Sequence, residues 1–135
     1  MFRACSLLSN IKILENWNIS NGINFKGMFS CCISLSDIKP LEKWNISNGK
    51  DYEGMFNNCQ SLPNIKPLEK WNVSNDNNFS FMFSFCSSLS DIKPLEKLNV
   101  SNGRNFKKIF LECSLIDINP LEKWNVSKSL LNNIK

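Results

Sequence analysis

The sequence predicts a right-handed α/β solenoid of 27-residue coils with short parallel strands and short helices. Residues 88–97 recur almost unchanged at 34–43 and, slightly altered, at 61–70. Two further positions recur in step with that segment, one of them aromatic or leucine and the other cysteine: Trp17, Trp44, Trp71, Leu98 and Trp124, and Cys5, Cys32, Cys59, Cys86 and Cys113. The last unit is one residue shorter because of a deletion after Cys113.

These positions divide residues 1–135 into a single array. A partial coil at 1–16 is followed by coils at 17–43, 44–70, 71–97 and 98–123 and by a partial coil at 124–135. Met1 and Phe2 occupy the place of Met28 and Phe29, and neither end carries a recognisable polar cap. We therefore expect a fragment of a longer array, with end-to-end self-association through the bare coils as the alternative.

The first element of each coil is a predicted short helix. Phe25, Met28, Phe29 and Cys32 fall at i, i+3, i+4 and i+7, which is the spacing of one apolar helical face. The stripe is too short to be stable without neighbouring coils. We expect one or two helical turns there, with the stripe facing inward.

The next segments alternate extended and turned backbone. Leu35 and Ile38 have the spacing of a short strand, which we expect to stack on its counterparts as a parallel ladder. Pro40 suits the first position of a helical turn, so Pro-Leu-Glu-Lys predicts a single turn that carries Leu41 inward. Trp44 and the residues after it predict a second extended piece, closed by an Asn-Gly turn.

Composition narrows the classes of partner. The chain is 42% hydrophobic and 21% charged, and its formal net charge is only +4, with most lysines at one repeated position. We therefore expect no nucleic-acid partner. No run of about 18 apolar residues predicts membrane insertion, and the first 17 residues lack the continuous apolar core of a signal peptide.

The repeat unit is similar to a known family. Trp-Asn-Ile-Ser-Asn at 44–48, followed by Met-Phe-x-x-Cys-x-Ser-Leu at 55–62, resembles the BspA-like surface-protein repeats. More narrowly, it resembles their branch of about 26 residues per unit, a domain of unknown function in mycoplasma and listerial surface lipoproteins that also occurs in protists and large viruses. The resemblance implies a leucine-rich-repeat-like solenoid, a secreted or cell-surface location, a role in adhesion or host interaction, and no enzymatic activity.

The cysteines have three interpretations. We expect the repeated cysteines to form a column of buried free thiols, which suits a small apolar side chain. A disulfide between adjacent rungs is an alternative in an oxidising compartment, whereas a metal site lacks Cys-x-x-Cys pairs and histidines. Cys31, whose equivalents are Asn58, Phe85 and Glu112, should be an exposed thiol.

Catalysis and cofactor binding have little support. The chain has no histidine, so the common nucleophile–base pairs are missing. No glycine-rich phosphate loop occurs, and Asp76-Asn77-Asn78 is at most a weak match to a calcium loop. We expect no catalytic, cofactor or metal site. The repeated Glu-Lys pairs, such as Glu42-Lys43, should pair between coils.

Asparagine begins an Asn-x-Ser triplet in most coils, as at Asn18, Asn45, Asn72, Asn99 and Asn125. These triplets are either glycosylation acceptors in a secretory pathway or a structural column. We expect the second, with the amides satisfying turn backbone groups between coils and the serine sharing that role.

Recognition should lie where the coils differ. Phe81 and Phe85 replace small or polar residues of other coils, and exposed aromatic side chains are common interface anchors. The alternative is that both rings fold onto neighbouring coils. The candidate interaction surface is Phe81, Phe85, Arg104, Lys107, Lys108, Lys50 and Glu53. We expect a module for protein interaction or surface adhesion with an unidentified protein partner, or alternatively an intracellular scaffold or adaptor arm.

Overall fold

The computed structural model describes residues 1–73, 75, 77–115 and 117–135. Consecutive repeats pack side by side, and their backbones are hydrogen-bonded to each other at an offset of 26 residues. The N–H of Phe29 donates to the carbonyl of Met55 at 2.9 Å, and the N–H of Phe56 donates to that of Met82 at 2.9 Å. Equivalent backbone positions of neighbouring coils therefore lie next to each other along the chain.

Within the described ranges, every helical segment is a 3₁₀ turn. The turns are Lys12–Leu14, Lys39–Lys43, Lys66–Leu68, Lys93–Lys97, Asn119–Lys123 and Lys128–Leu131. Four of them have proline at the first or second position, where its fixed φ favours a helical turn and its missing N–H costs nothing. The leucine after each proline is buried, as Leu41 and Leu68 illustrate.

The regular strands are short and parallel. Strand β1 is Asn77–Asn78 and pairs with β2, Gly103–Asn105. Single parallel bridges join Asn10 to Asp37, Asn24 to Asp51 and Asp51 to Asn78. Apart from the first bridge, this pairing follows the tryptophan segment and does not involve the Leu-x-x-Ile segment, where we expected a strand.

The Leu-x-x-Ile segment turns because local hydrogen bonds compete with strand pairing. The N–H of Leu35 donates back to the carbonyl of Cys32 at 3.0 Å. Two residues further on, Asp37 Oδ1 accepts the N–H of Lys39 at 2.8 Å. Short acidic side chains commonly capture backbone in this way, and the chain enters its 3₁₀ turn at once.

The segment at 25–32 is a series of turns and not the helix that its apolar spacing predicts. The N–H groups of Met28, Ser30 and Cys32 bond to carbonyls three residues back, at 3.1–3.2 Å. The N–H groups between them donate to the next coil; that of Gly27, for example, reaches Glu53 O at 2.8 Å. This alternation gives half of the donors to the neighbouring coil, which an α-helix cannot do.

Two stacks of aromatic rings run through the core. Phe29, Phe56 and Phe83 are stacked with centroids 5.6 Å apart. In the second stack Tyr52 lies 5.5 Å from Phe25 and 5.4 Å from Phe79. Within the described residues, these rings form one apolar cluster with the buried leucines and isoleucines. The outer surface is therefore presented by a continuously packed interior.

Candidate interaction surface

Two positions of each coil have positive φ and lie on the outer side of the turn segment, opposite the buried stripe. We call them the left-handed columns. They have φ of 53–63°. The first column is Gly27, Gly54, Phe81 and Lys108, and the second is Ala4, Cys31, Asn58, Phe85 and Glu112.

The turn geometry explains this backbone conformation. In the turn from Phe25 to Met28, closed by a 3.2 Å hydrogen bond, the third residue is Gly27 at φ 59°. A positive φ at the third residue is what a type II turn requires. Phe29 to Cys32 repeats the arrangement with Cys31 at φ 62°. Glycine is the favoured residue at such a position, and the second and third coils use it at Gly27 and Gly54.

Phe81 and Phe85 are the two aromatic residues in these columns. Their φ values are 57° and 60°, and a non-glycine residue in this region costs about 1–2 kcal/mol. Their backbones are held there by the next coil, since Phe81 N–H donates to Lys107 O at 2.9 Å and Phe85 N–H donates to Leu111 O at 2.6 Å. Coil 71–97 therefore places two bulky rings where the turn itself favours glycine.

The two rings differ in exposure. Phe85 is 43% exposed, and Phe81 is half-buried. Ser84, between them in the sequence, is fully buried, and its hydroxyl donates to the carbonyl of Lys108. The sequence left open whether the rings fold onto neighbouring coils, and the structure leaves almost half of Phe85 in solvent.

The charged residues of the predicted surface fall on two sides of the aromatic pair. Lys107 is exposed and Lys108 half-buried in the coil after it, and Arg104 is exposed on strand β2. In the coil before it, Lys50 is exposed. Coil 71–97 separates Lys50 from the basic residues of coil 98–123, so the structure brings only part of the predicted set together.

Glu53 differs from the free surface contact that we expected. Its carboxylate lies 3.0 Å from Lys26 Nζ and accepts a hydrogen bond from Asn78 Nδ2 at 3.2 Å. The side chain is therefore already paired between coils, because equivalent columns bring Lys26 and Glu53 side by side.

The repeated cysteines donate hydrogen bonds between coils. The thiols of Cys59 and Cys86 donate to Phe29 O and Phe56 O at 3.2 and 3.1 Å. Burial raises the pKa of Cys59 from its ordinary 9.0 to about 12 and that of Cys113 to about 11. A thiol that stays protonated is a poor nucleophile and metal ligand, so these groups are structural. All six cysteines are free.

Two thiols depart from the predicted exposure. Cys5 was expected on the inward stripe but is exposed, because it belongs to the first unit, which has a neighbouring coil on one side only within residues 1–135. Cys31 was expected to be fully exposed but is half-buried. The Asn58 amide of the next coil lies 3.8 Å from its sulfur and partly covers it.

The tryptophan column hydrogen-bonds in the same manner. The indole N–H groups of Trp44, Trp71 and Trp124 donate to leucine carbonyls of the preceding coil, at 2.8–2.9 Å. Trp17, in the first unit, is 39% exposed. Leu98 has no such donor, and an apolar cavity of about 20 Å³ lies beside it. The column is under-filled at this coil, as the substitution predicts.

The polar columns are paired within and between coils. Lys43, Lys70 and Lys97 lie 2.7–3.2 Å from Glu15, Glu42 and Glu69 of the preceding coils. These ion pairs confirm the predicted Glu–Lys pairing. The hydrogen bond from Lys43 holds the pKa of Glu15 below its ordinary value.

The asparagine of the Asn-x-Ser triplet acts within its own turn and not between coils. Asn45 Oδ1 accepts from Ser47 N–H at 3.1 Å and from its hydroxyl at 2.8 Å. The asparagine three residues later makes the bond between coils, since Asn48 Nδ2 donates to Ser20 O at 2.8 Å. The triplet therefore forms an Asx turn.

Groups that would support catalysis are not gathered in the described ranges. There, no three residues among His, Cys, Asp and Glu lie where they could hold a metal ion. The same residues contain no helix of the length and apolarity needed to cross a membrane. The weak calcium-loop match begins at Asp76, which lies outside the described residues.

Comparison with known proteins gives a family assignment without a function. The family model described as "Mycoplasma protein of unknown function, DUF285" matches the chain twice, at residues 1–91 and 39–133. No curated protein matches the chain. The two overlapping matches extend over almost the whole sequence, as expected for a domain made of similar repeats.

Proposed function

The chain belongs to the family described as a mycoplasma protein of unknown function, and from this membership we propose that it is a non-enzymatic repeat module for protein interaction or surface adhesion. One observation carries the proposal. Coil 71–97 holds Phe81 and Phe85 at positive φ, with Phe85 43% exposed, where other coils hold glycine, asparagine or other non-aromatic residues. Strained residues are retained most often where they serve a function.

The architecture that we propose for this role is a right-handed leucine-rich-repeat-like solenoid of the BspA-like type. The hydrogen bonds between equivalent backbone positions support it, as does ring stacking at 5.4–5.8 Å through successive coils. Such a stack is rigid along its axis, so residues in neighbouring coils are held in a fixed order. Binding would then need little ordering of the surface.

The state of the reactive groups supports a binding role over an enzymatic one. The buried thiols have raised pKa values, which keeps them protonated. The repeated carboxylates are paired with lysines of the next coil. A general base or nucleophile needs a group that is poised to react, and these groups are engaged in structural contacts.

The free thiols favour the intracellular scaffold or adaptor arm as a second candidate. Cys32, Cys59 and Cys86 are buried and unpaired, and proteins with unpaired thiols are typical of reducing compartments. Fractionation of the native host cell discriminates the two roles. Recovery at the cell surface supports adhesion, and recovery in the cytosol supports the scaffold.

The proposed binding role can be tested with protein-coated beads. Beads carrying the wild-type chain are passed over cultured epithelial cells under flow, beside beads carrying the variant F81G/F85N. This variant uses the residues that other coils have at the same columns, Gly54 and Asn58. We expect clearly fewer variant beads to be retained. Equal retention of both bead types at matched protein density would contradict adhesion through this surface.

A further inference from the structure

We infer that the surface formed by Phe81, Phe85, Lys107 and Lys108, called here the aromatic patch, binds an acidic peptide segment that carries an apolar anchor residue. The inference rests on the proposed interaction function and adds the chemistry of the partner to it. The reasons are the shape of the surface around Phe81 and the charges that adjoin it.

The surface beside Phe81 is open on the side of the preceding coil. Its neighbour in the first left-handed column is Gly54. A Cβ placed on Gly54 would meet one heavy atom within 4 Å, Asn57 Cβ at 3.5 Å, and one placed on Gly27 would meet Ser30 Cβ alone, at 3.8 Å. Two successive coils thus have bare backbone next to the ring, and this leaves a step against which a partner's apolar side chain can pack.

Phe85 extends the apolar surface. It lies four residues after Phe81, in the second left-handed column, and is 43% exposed. In the preceding coil its column holds the half-buried Asn58. The two rings are therefore the apolar part of this strip, and their backbones are fixed by hydrogen bonds to the following coil. Rigid aromatic side chains of this kind lose little conformational freedom on binding.

The charges next to the rings select an acidic partner. Lys108 follows Phe81 in the first column, and Lys107 contributes the carbonyl that accepts the Phe81 N–H. Neither lysine forms an ion pair with a residue in the described ranges, whereas Lys26, the equivalent of Lys107 in the second coil, is paired with Glu53. The carboxylates of a partner can therefore approach two uncompensated ammonium groups.

Glu112 sets the direction in which such a segment would lie. It follows Phe85 in the second column and is exposed, so it repels acidic residues on that side. The acidic residues of the partner are expected near Lys107 and Lys108, with the anchor over Phe81 and uncharged residues near Phe85 and Glu112.

The test is selection from a displayed library of random 12-residue peptides on the immobilised wild-type chain, with counter-selection on F81G/F85N. A second variant, K107S/K108G, carries the residues that Ser80 and Gly54 provide in the same columns, so both variants keep side chains that this backbone already accepts. Circular dichroism and thermal unfolding of each variant establish that it is folded before binding is compared.

We expect the selected peptides to be enriched in Asp and Glu beside an aromatic or aliphatic residue. Their synthetic versions should bind K107S/K108G roughly tenfold more weakly or worse, and rising salt should weaken wild-type binding. Peptides without an acidic excess that still require Phe81 and Phe85 would overturn the acidic class and leave the interaction function standing. Failure to enrich any sequence over the counter-selection would overturn peptide binding at the patch, while bead retention reports on the interaction function separately.

Discussion

Replacement of Leu98 by tryptophan should stabilise the protein, because the other full coils already show how the indole fits. Leu98 has φ −65° and ψ 127°, and Trp44 has φ −72° and ψ 126°. The indole of Trp44 reaches Leu14 O at 2.9 Å. The corresponding acceptor for residue 98 is Leu68 O, which already accepts the local N–H of Trp71 at 3.0 Å.

The expected gain has three parts. A new indole hydrogen bond contributes about 1 kcal/mol. Filling the 20 Å³ cavity contributes about 0.5 kcal/mol at about 24 cal/mol per Å³. Burial of roughly 50 Å² of additional apolar surface contributes about 1.2 kcal/mol. Ordering the larger side chain removes roughly 0.5–1 kcal/mol. The net expectation is about 2 kcal/mol, or a rise in Tm of about 5–10 °C.

Urea and thermal unfolding of wild type and L98W measure this gain directly. Leu98→Phe is the matched control, since it fills the cavity without an N–H donor and should recover only part of the increase. Trp71→Leu creates the same defect one coil earlier, by removing the bond to Leu41 O at 2.8 Å, and should lower stability. A Tm for L98W at or below that of wild type would show that the Leu98 coil is not an unfilled copy of its neighbours.

Three further predictions concern the turn columns, the thiols and a close contact. At the positive φ of Phe81, Phe81→Gly should be more stable than Phe81→Ala by about 1 kcal/mol, the reverse of the usual order; equal urea midpoints would contradict the strain. Burial raises the pKa of Cys59 from 9.0 to about 12, so stability should be complete below pH 9 and fall as the pH rises toward 12. Cys59→Ala should reduce that slope by about 1.4 kcal/mol per pH unit, and an unchanged slope in urea titrations would refute the assignment. Gly49→Ala would place a Cβ 1.9 Å from Tyr52 Oη and 2.5 Å from its Cζ and should cost about 2–4 kcal/mol; a thermal shift below 1 °C would mean that the ring moves freely.

The repeat made much of the interior predictable. Every 27 residues the same apolar positions recur, and Phe29, Cys32 and Leu35 are fully buried. The Glu–Lys pairing was equally accessible, because stacking places Glu42 beside Lys70 once the period is known. These features follow from burial and charge, which depend on position in the coil and little on the local path of the backbone.

The local conformation of the 25–32 segment could not be read from apolar spacing. Successive turns bury residues at i, i+3, i+4 and i+7 just as a helix does, so the pattern does not separate the two. The distinguishing signal was Gly27 and its equivalent Gly54, with Asn58 four residues further on, since these residue types favour positive φ. That signal also identifies Phe81 and Phe85 as residues in strained positions.

The outer surface was predicted less well because pairing between coils depends on side-chain geometry. Variation among the coils singled out Glu53, yet the structure pairs it with Lys26. Variation also predicted a fully exposed Cys31, which the neighbouring Asn58 partly covers. Differences between coils thus identify where the surface varies, and contacts with the next coil decide which of those residues remain available.

Display of the aromatic patch depends on stacked coils, and thiol labelling of the native, unreduced protein tests that stacking most directly. Labelling is followed by intact mass and assigned by peptide mapping. We predict that Cys5 and Cys31 react first, Cys113 more slowly, and Cys32, Cys59 and Cys86 only after denaturation, because these three are fully buried. Rapid labelling of all six cysteines without denaturant would contradict the stacked core and, with it, the surface proposed to bind a partner.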